Sequence, residues 1–231
     1  MSGPLLRARA LCVGYGGRAI LPPIDVTIGS NELWVVTGQN GSGKTTWVKT
    51  LLGLLTPVSG SVSQERPRLR LAYLGQRQEL ESQYPVAVKD VVEMGTYREK
   101  GWFSGRAERR RRVARALELT QATALAESPY SELSEGQKQR VLLARVQASE
   151  SDLAVLDEPT SAMDSGAEEG AWELLKAVQR ESSLSLLVVT HALELAQKYA
   201  DRVLRFDRER REVRAGGIEL LGQRTLHEAN P

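Results

Sequence analysis

Eight consecutive residues, Gly38-Gln39-Asn40-Gly41-Ser42-Gly43-Lys44-Thr45, narrow the possible folds of this chain more than any other stretch. They match the loop G-x-x-x-x-G-K-[ST], which requires a strand before it and a helix after it. Both neighbours are in place. Residues 33–37 are a short β-friendly run. Trp47, Val48, Leu51, Leu52 and Leu55 then recur at helical steps from Ser42 until Thr56-Pro57 stops them. The chemistry explains the glycines: Gly38, Gly41 and Gly43 let successive backbone N–H groups converge on a phosphate that side chains would block. The helix directs its positive end at the same phosphates. Lys44 suits the β- and γ-phosphate oxygens and Thr45 suits Mg²⁺, with Asn40, Ser42 and Thr46 as further candidate nucleotide contacts.

The rest of the chain reads as α/β with an interruption. Residues 5–13 and 24–28 are strand candidates, Gly60-Ser61 reads as a turn, and residues 69–75 alternate as a half-buried strand. From Gln76 to about Ser149 strand signals vanish, and residues 89–94, 107–119 and 135–148 carry helical patterns. Alternation then resumes, with strands at 153–156, 186–190 and 202–206, helices at 166–181 and 193–199, and a basic tail. Such a rhythm implies a parallel sheet covered on both faces.

A length of 231 residues suits one large domain or a domain with a sizeable insertion. Lys+Arg 31 against Asp+Glu 29 leaves a formal charge of +2, which does not point to nucleic acid. The arginine runs at 109–112 and 208–211 are interleaved with Glu108, Glu118, Asp207, Glu209 and Glu212, as solvated faces are. One cysteine, Cys12, excludes an internal disulfide, and with two histidines it builds no convincing site for a cargo metal. The longest uncharged run, residues 50–64, contains Pro57 and is shorter than the roughly 18 apolar residues of a membrane span. Residues 1–9 lack a signal-peptide core, so a cytoplasmic protein is expected.

A phosphate loop alone fits kinases, GTPases and ATPases alike. Residues 153–159, Leu-Ala-Val-Leu-Asp-Glu-Pro, add a buried strand ending in two carboxylates. Alternation sends neighbouring side chains to opposite sides, but at a strand end the chain can turn both toward one site. Asp157 then suits Mg²⁺ through water, and Glu158 suits polarising the water that attacks the γ-phosphate. A third element is Leu133-Ser134-Glu135-Gly136-Gln137, followed by Lys138-Gln139-Arg140 and a helix. Ser134 and Gln137 have the spacing of a capping box, which explains two residues and not the string. On these three elements the chain resembles the ATPase subunits of ABC transporters, whose five-residue signature has this form; the resemblance extends over nearly the whole chain.

The resemblance implies an α/β fold: a P-loop NTPase (RecA-like) core with an N-terminal antiparallel β-subdomain and an inserted helical subdomain. Residues 1–75 and 150–231 would form the core with its β-subdomain, and 76–149 the helical part. It also implies roles for other residues. Tyr15 would stack on adenine, Gln76 would touch Mg²⁺ and sense the membrane partner, and His191 would contact the γ-phosphate. Asp164, ending Ser161-Ala162-Met163-Asp164, would lie in the inter-subunit loop. Ser134, Gly136 and Gln137 would meet the nucleotide held by a second copy. Catalysis would rest on Lys44, Glu158 and His191, and the cofactors would be ATP and Mg²⁺. The partners implied are a second copy of the chain, integral membrane permease subunits and, indirectly, a substrate-binding protein, with the ATPase peripheral on the inner face of the membrane. Residues 84–95, then Tyr97 and Gly101-Trp102-Phe103, look like the ATPases of zinc, manganese and iron-chelate importers.

Two departures stand out. Ala192 follows the histidine where an acidic residue is common, and Glu135 occupies a position where the family usually has glycine. An ionised carboxylate about 8 Å from a phosphate charge would cost roughly 2 kcal/mol per unit charge at an effective dielectric of 20, so Glu135 is expected to turn outward. Other readings compatible with the residues are a soluble ABC-type ATPase of cofactor assembly and an exporter ATPase. A small-molecule kinase would leave residues 133–137 unexplained.

Overall fold

The structure, a computed structural model, describes residues 3–75, 86–97, 105–160, 163, 165–207 and 212–216. Gln76, Asp164, the segments 84–85 and 98–103, and the arginine run 208–211 lie outside the described residues. β1 (Pro4–Cys12) leads through a hairpin of β2 (Gly14–Tyr15) and β3 (Arg18–Ala19) to β4 (Ile24–Gly29). β5 (Leu33–Gly38) and α1 (Lys44–Leu51) flank the phosphate loop, followed by β6 (Ser59–Gln64) and β7 (Leu71–Leu74). Helices α2 (Val88–Met94), α3 (Arg106–Leu119) and α4 (Glu135–Ala148) come next. The remainder alternates through β8 (Leu153–Asp157), α5 (Ser165–Ser182), β9 (Ser185–Thr190), α6 (Leu193–Tyr199), β10 (Arg202–Asp207) and β11 (Glu212–Gly216).

Among the described residues these strands build a three-stranded antiparallel sheet, β4-β1-β6, and a six-stranded sheet, β11-β10-β5-β9-β8-β7. The larger sheet is parallel from β10 to β7, and β11 adds an antiparallel edge. Burial explains the difference in sequence character. β4 alternates, with Ile24, Val26 and Ile28 inside and Asp25 and Thr27 outside. β8 and β9 are buried at every position, as strands covered on both faces must be.

On one face of the larger sheet, Leu153 and Val155 pack with Trp47, Val48 and Leu51 of α1 and with Leu6, Leu11 and Ile28 of the antiparallel sheet. On the other, Ala154 and Leu156 meet Trp172, Leu175 and Val178 of α5 and Ala196 of α6. Each such buried aliphatic stabilises the fold by about 1.5–3 kcal/mol. α4 is packed on two sides. Leu143 and Val146 join the α5 cluster, while Val141, Ala144 and Ala148 pack with Val88, Val91 and Val92 of α2 and Val113, Ala116 and Leu117 of α3. The solvent side of α3 is laced with ion pairs, Arg109 to Glu93 at 3.2 Å and Arg112 to Glu108 at 3.3 Å.

The architecture is the expected one, a parallel sheet between helices with an antiparallel sheet and a helical region. Three local expectations need correction. The helix predicted over residues 42–55 ends at Leu51, because Gly53 takes a φ of +73° and the N–H groups of Leu54 and Leu55 fold back onto Lys49 O. Gly60 and Ser61 do not turn the chain but sit inside β6, where the register with β1 slips between Arg9 and Cys12. The basic tail contains β11, paired along β10 from Val203–Gly216 to Asp207–Glu212. No helix among the described residues is long and apolar enough to cross a membrane.

Candidate functional site

Strand order alone assembles the site. In register across the larger sheet, Phe206 of β10 lies beside Gly38 of β5, Thr37 beside Thr190 of β9, Val189 beside Asp157 of β8, and Leu156 beside Leu74 of β7. The carboxyl ends of neighbouring parallel strands therefore deliver the phosphate loop, His191, the Asp157-Glu158 pair and Gly75 to one edge, the usual place for ligands in open α/β sheets.

The loop needs its glycines where it has them. Gly38, with φ +147°, faces Phe206 O, which a β-carbon would approach to 2.3 Å; Gly41 and Gly43 have φ +74° and +93°. Lys44 is only 6% exposed, and its Nζ donates to Gly38 O at 2.7 Å and Gln39 O at 3.0 Å. Burial pushes its ammonium below the ordinary lysine range, against the opposing charges of Glu158 and Asp157. Ser42 Oγ, near Gly38, is buried without a hydrogen-bond partner among the described residues. A buried hydroxyl left so costs about 1–3 kcal/mol, which an acceptor such as a phosphate oxygen would offset. The first turn of α1 carries no acidic residue, so its positive end is not neutralised from within.

The acidic pair sits beside the loop. Asp157 is 4% exposed and accepts from Tyr73 Oη at 3.3 Å, with the Thr45 hydroxyl also favouring its ionised form. Burial raises its pKa, and the Glu158 charge adds to this, while the two hydroxyls and Lys49 pull the other way. Burial and Asp157 together raise the Tyr73 phenol to about 12. Glu158 has φ +51°, and its N–H donates to Val189 O at 2.9 Å. That left-handed residue, costly for a side chain with a β-carbon, breaks the strand alternation just where both carboxylates are to face Lys44. Carboxylate and hydroxyl oxygens are hard donors, and no group of three or more His, Cys, Asp or Glu side chains among the described residues could cage a metal. This donor set fits Mg²⁺, which binds through one or two protein oxygens, water and phosphate.

His191 is exposed directly after β9, on a turn closed by Ala192 N–H donating to Thr190 Oγ1 at 3.0 Å. Tyr15, 61% exposed on its hairpin, reaches Thr46 Oγ1 through its hydroxyl at 3.1 Å, which sets the aromatic ring beside the start of α1. Ser134, exposed, and Gly136 and Gln137, half-buried, form the start of α4. Ser134 Oγ accepts from Gln137 N–H at 3.3 Å, and Gln137 Oε1 accepts from Ser134 N–H at 3.0 Å, so their capping bonds run to each other. Glu135 is exposed and takes Lys138 Nζ at 2.7 Å along the helix surface. Sequence reasoning missed Tyr73 as a site residue. Its signal was its place two positions before Gly75 on an alternating strand, which acquires meaning only once β7 is known to lie beside β8.

Fold and site define a P-loop nucleoside triphosphatase. A profile describing ABC transporters matches residues 21–161. The zinc transport system ATP-binding protein TroB of Treponema pallidum is 37% identical over 200 residues, covering 84% of this chain and 75% of TroB. The high-affinity zinc uptake system ATP-binding protein ZnuC of Bacillus subtilis is 31% identical over 211 residues, covering 88% and 91%. Among solved structures, an inward-facing metal-chelate type ABC transporter superposes with a TM-score of 0.84 at 25% identity, over 95% of this chain and 86% of that one. CbiO1 of Clostridium perfringens, part of the ABC transporter complex cbiONQ, superposes with 0.85 at 26% identity, over 96% and 92%. The chain belongs to the ABC transporter family, as an ATP-binding domain that hydrolyses ATP.

Proposed function

We propose that this chain energises a membrane importer of metal ions, with zinc the first candidate cargo and iron chelates the second. The enzymatic half is carried by one observation, the meeting of the phosphate loop with Asp157 and Glu158 at the carboxyl edge of the sheet. The cargo half is supported by the relatives named for zinc transport and by the metal-chelate transporter structure.

In this reading Lys44 and the loop N–H groups hold the β- and γ-phosphates, and Tyr15 stacks on the adenine. Thr45, Asp157 and Gln76 would hold Mg²⁺, which would supply charge neutralisation at the phosphate oxygens. Glu158 accepts the proton of the attacking water, and His191 donates to the γ-phosphate. Ser134, Gly136 and Gln137 of a second copy close over that phosphate, with Asp164 at the same interface. With one copy of each motif per chain, the working unit is a symmetric homodimer. Residues 1–75 and 150–231 act as the nucleotide-binding core, and 76–149 as the helical part that meets the permease. The protein sits at the inner face of the membrane and receives its signal indirectly from a substrate-binding protein.

Glu158→Gln tests this reading. The variant is expected to bind ATP, to lose at least 100-fold in turnover, on the order of removing a general base, and to accumulate as dimer on size exclusion with Mg²⁺-ATP. Steady rapid turnover would remove Glu158 from its role. Cells lacking the chain should grow poorly when zinc is limiting and recover with wild type but not with Glu158→Gln. Growth and zinc uptake indifferent to the chain would remove the cargo assignment.

A further inference from the structure

We propose that Tyr73 is a positioning residue for the metal–nucleotide site, acting through Asp157. The inference rests on the ATPase reading above and deepens it. β7 and β8 run parallel with Tyr73 opposite Val155. The two-residue period therefore places Tyr73, Val155 and Asp157 on the sheet face covered by α1. A side chain leaning along its strand from position 73 reaches two positions past its register partner. That is where its Oη donates to Asp157 Oδ2 at 3.3 Å.

The ring and the hydroxyl have separable duties. The ring packs against the apolar cluster under α1, which a phenylalanine would do equally well. The hydroxyl adds only the bond to the carboxylate. Behind it stands Gly75, whose β-carbon, were there one, would sit 3.4 Å from ring Cε1 and 3.5 Å from Oη. The Thr45 hydroxyl favours the ionised form of the same carboxylate from the start of α1. The Tyr73 bond restrains Asp157 toward one orientation, so part of the rotational freedom it would lose on meeting a cation is already surrendered. Removing such a supporting bond at a metal site weakens metal affinity about 10- to 100-fold. A hydroxyl contact of 3.3 Å belongs at the lower end.

The test uses Tyr73→Phe and Mn²⁺ with ADP, so that metal binding is read by electron paramagnetic resonance without turnover. The variant should bind Mn²⁺-ADP about tenfold more weakly than wild type. Its affinity for ADP in EDTA and its melting temperature without metal should stay close to those of wild type. Equal Mn²⁺-ADP affinity in the two proteins would overturn the inference. An equal loss with and without metal would overturn it too, assigning Tyr73 to packing of the loop. If wild type itself failed to bind Mn²⁺-ADP, the ATPase reading would fall first, a result distinct from either.

Discussion

Asp152, just before β8, and Asp157, at the far end of the same strand, are both nearly buried but keep opposite company. Asp152 receives Arg70 through its backbone N–H at 2.8 Å and its Nε and Nη2 at 3.2 Å, and Arg66 Nη1 at 3.2 Å. Burial alone would lift its pKa, but the Arg70 bonds and the charges of Arg70 and Arg66 outweigh burial and leave it below the ordinary carboxylate range. Asp157 receives the Tyr73 hydroxyl and no cation within bonding reach among the described residues, and burial leaves it above that range. The amino edge of the sheet has its charges matched by the chain itself. The carboxyl edge keeps a carboxylate that a cation from outside would match, and that mismatch marks the functional edge.

The largest expected effect falls on the functional edge. Lys44→Ala removes a nearly buried cation whose Nζ closes the loop on Gly38 O and Gln39 O. Losing such a charge opposite phosphates costs about 3 kcal/mol, so ATP affinity should fall on the order of 100-fold by titration calorimetry. The melting temperature should hardly move, since burial already disfavours that charge. A variant that unfolds while keeping its residual ATP affinity would invert the contrast between the two edges.

Asp152→Asn should show the reverse pattern. Arg70 would keep only its longer contact to Glu150, at 3.7 Å, and with Arg66 half exposed the loss comes to about 2 kcal/mol of stability at neutral pH. Turnover per folded molecule should not change. The pH dependence has a definite sign. The folded pKa lies below the unfolded value of 3.8, so the stabilisation is fully present above 3.8 and is lost as pH falls through the folded value. Urea denaturation between pH 7 and 3 should therefore show the gap between variant and wild type closing toward acid. A constant gap would mean that Asp152 acts through something other than its charge.

The two edges also differ in how far they could be read from the sequence. The phosphate loop is local: eight neighbouring residues carry its glycines, its lysine and its helix start, and the structure sets Gly38, Gly41 and Gly43 at positive φ with Lys44 opening α1. Asp157 and Glu158 were legible as a pair, but not the φ of +51° at Glu158 that breaks their alternation. Tyr73 with Asp157, and Arg70 with Asp152, were hidden because β7 and β8 are neighbours in space with α2, α3 and α4 between them in the chain. β11 was missed because its charged sequence looks like a tail until β10 supplies the ladder it pairs with. α1 stops at Leu51 although apolar residues continue to Leu55, because Gly53 turns the backbone left-handed, which apolar spacing does not reveal.

Asp157→Asn sharpens the contrast at smaller amplitude. Without metal, a buried carboxylate held above its ordinary pKa works against folding, and an amide can still accept the Tyr73 hydroxyl. In EDTA the variant should gain about 1 kcal/mol in urea denaturation, the common result of neutralising a strained functional group. With Mg²⁺-ATP it should lose hydrolysis. Equal stability in EDTA would show that the charge is already satisfied within the chain.

The smallest effect concerns Glu135, whose carboxylate is exposed and 2.7 Å from Lys138 Nζ. An unpaired charge about 8 Å from a partner's phosphate would cost roughly 2 kcal/mol per unit charge. A cation this close cancels most of that field, and solvent screens much of the rest, which leaves a few tenths of a kcal/mol. In the Glu158→Gln background, Glu135→Gly should therefore tighten the ATP-dependent dimer about twofold. Lys138→Gln, which leaves Glu135 without its neighbouring cation, should loosen the dimer. The order of the three affinities, read by light scattering against ATP concentration, decides the matter. If the Lys138→Gln protein dimerised as tightly as its parent, Glu135 would not feel the shared nucleotide at all, and its place in the signature would be a property of the α4 surface alone.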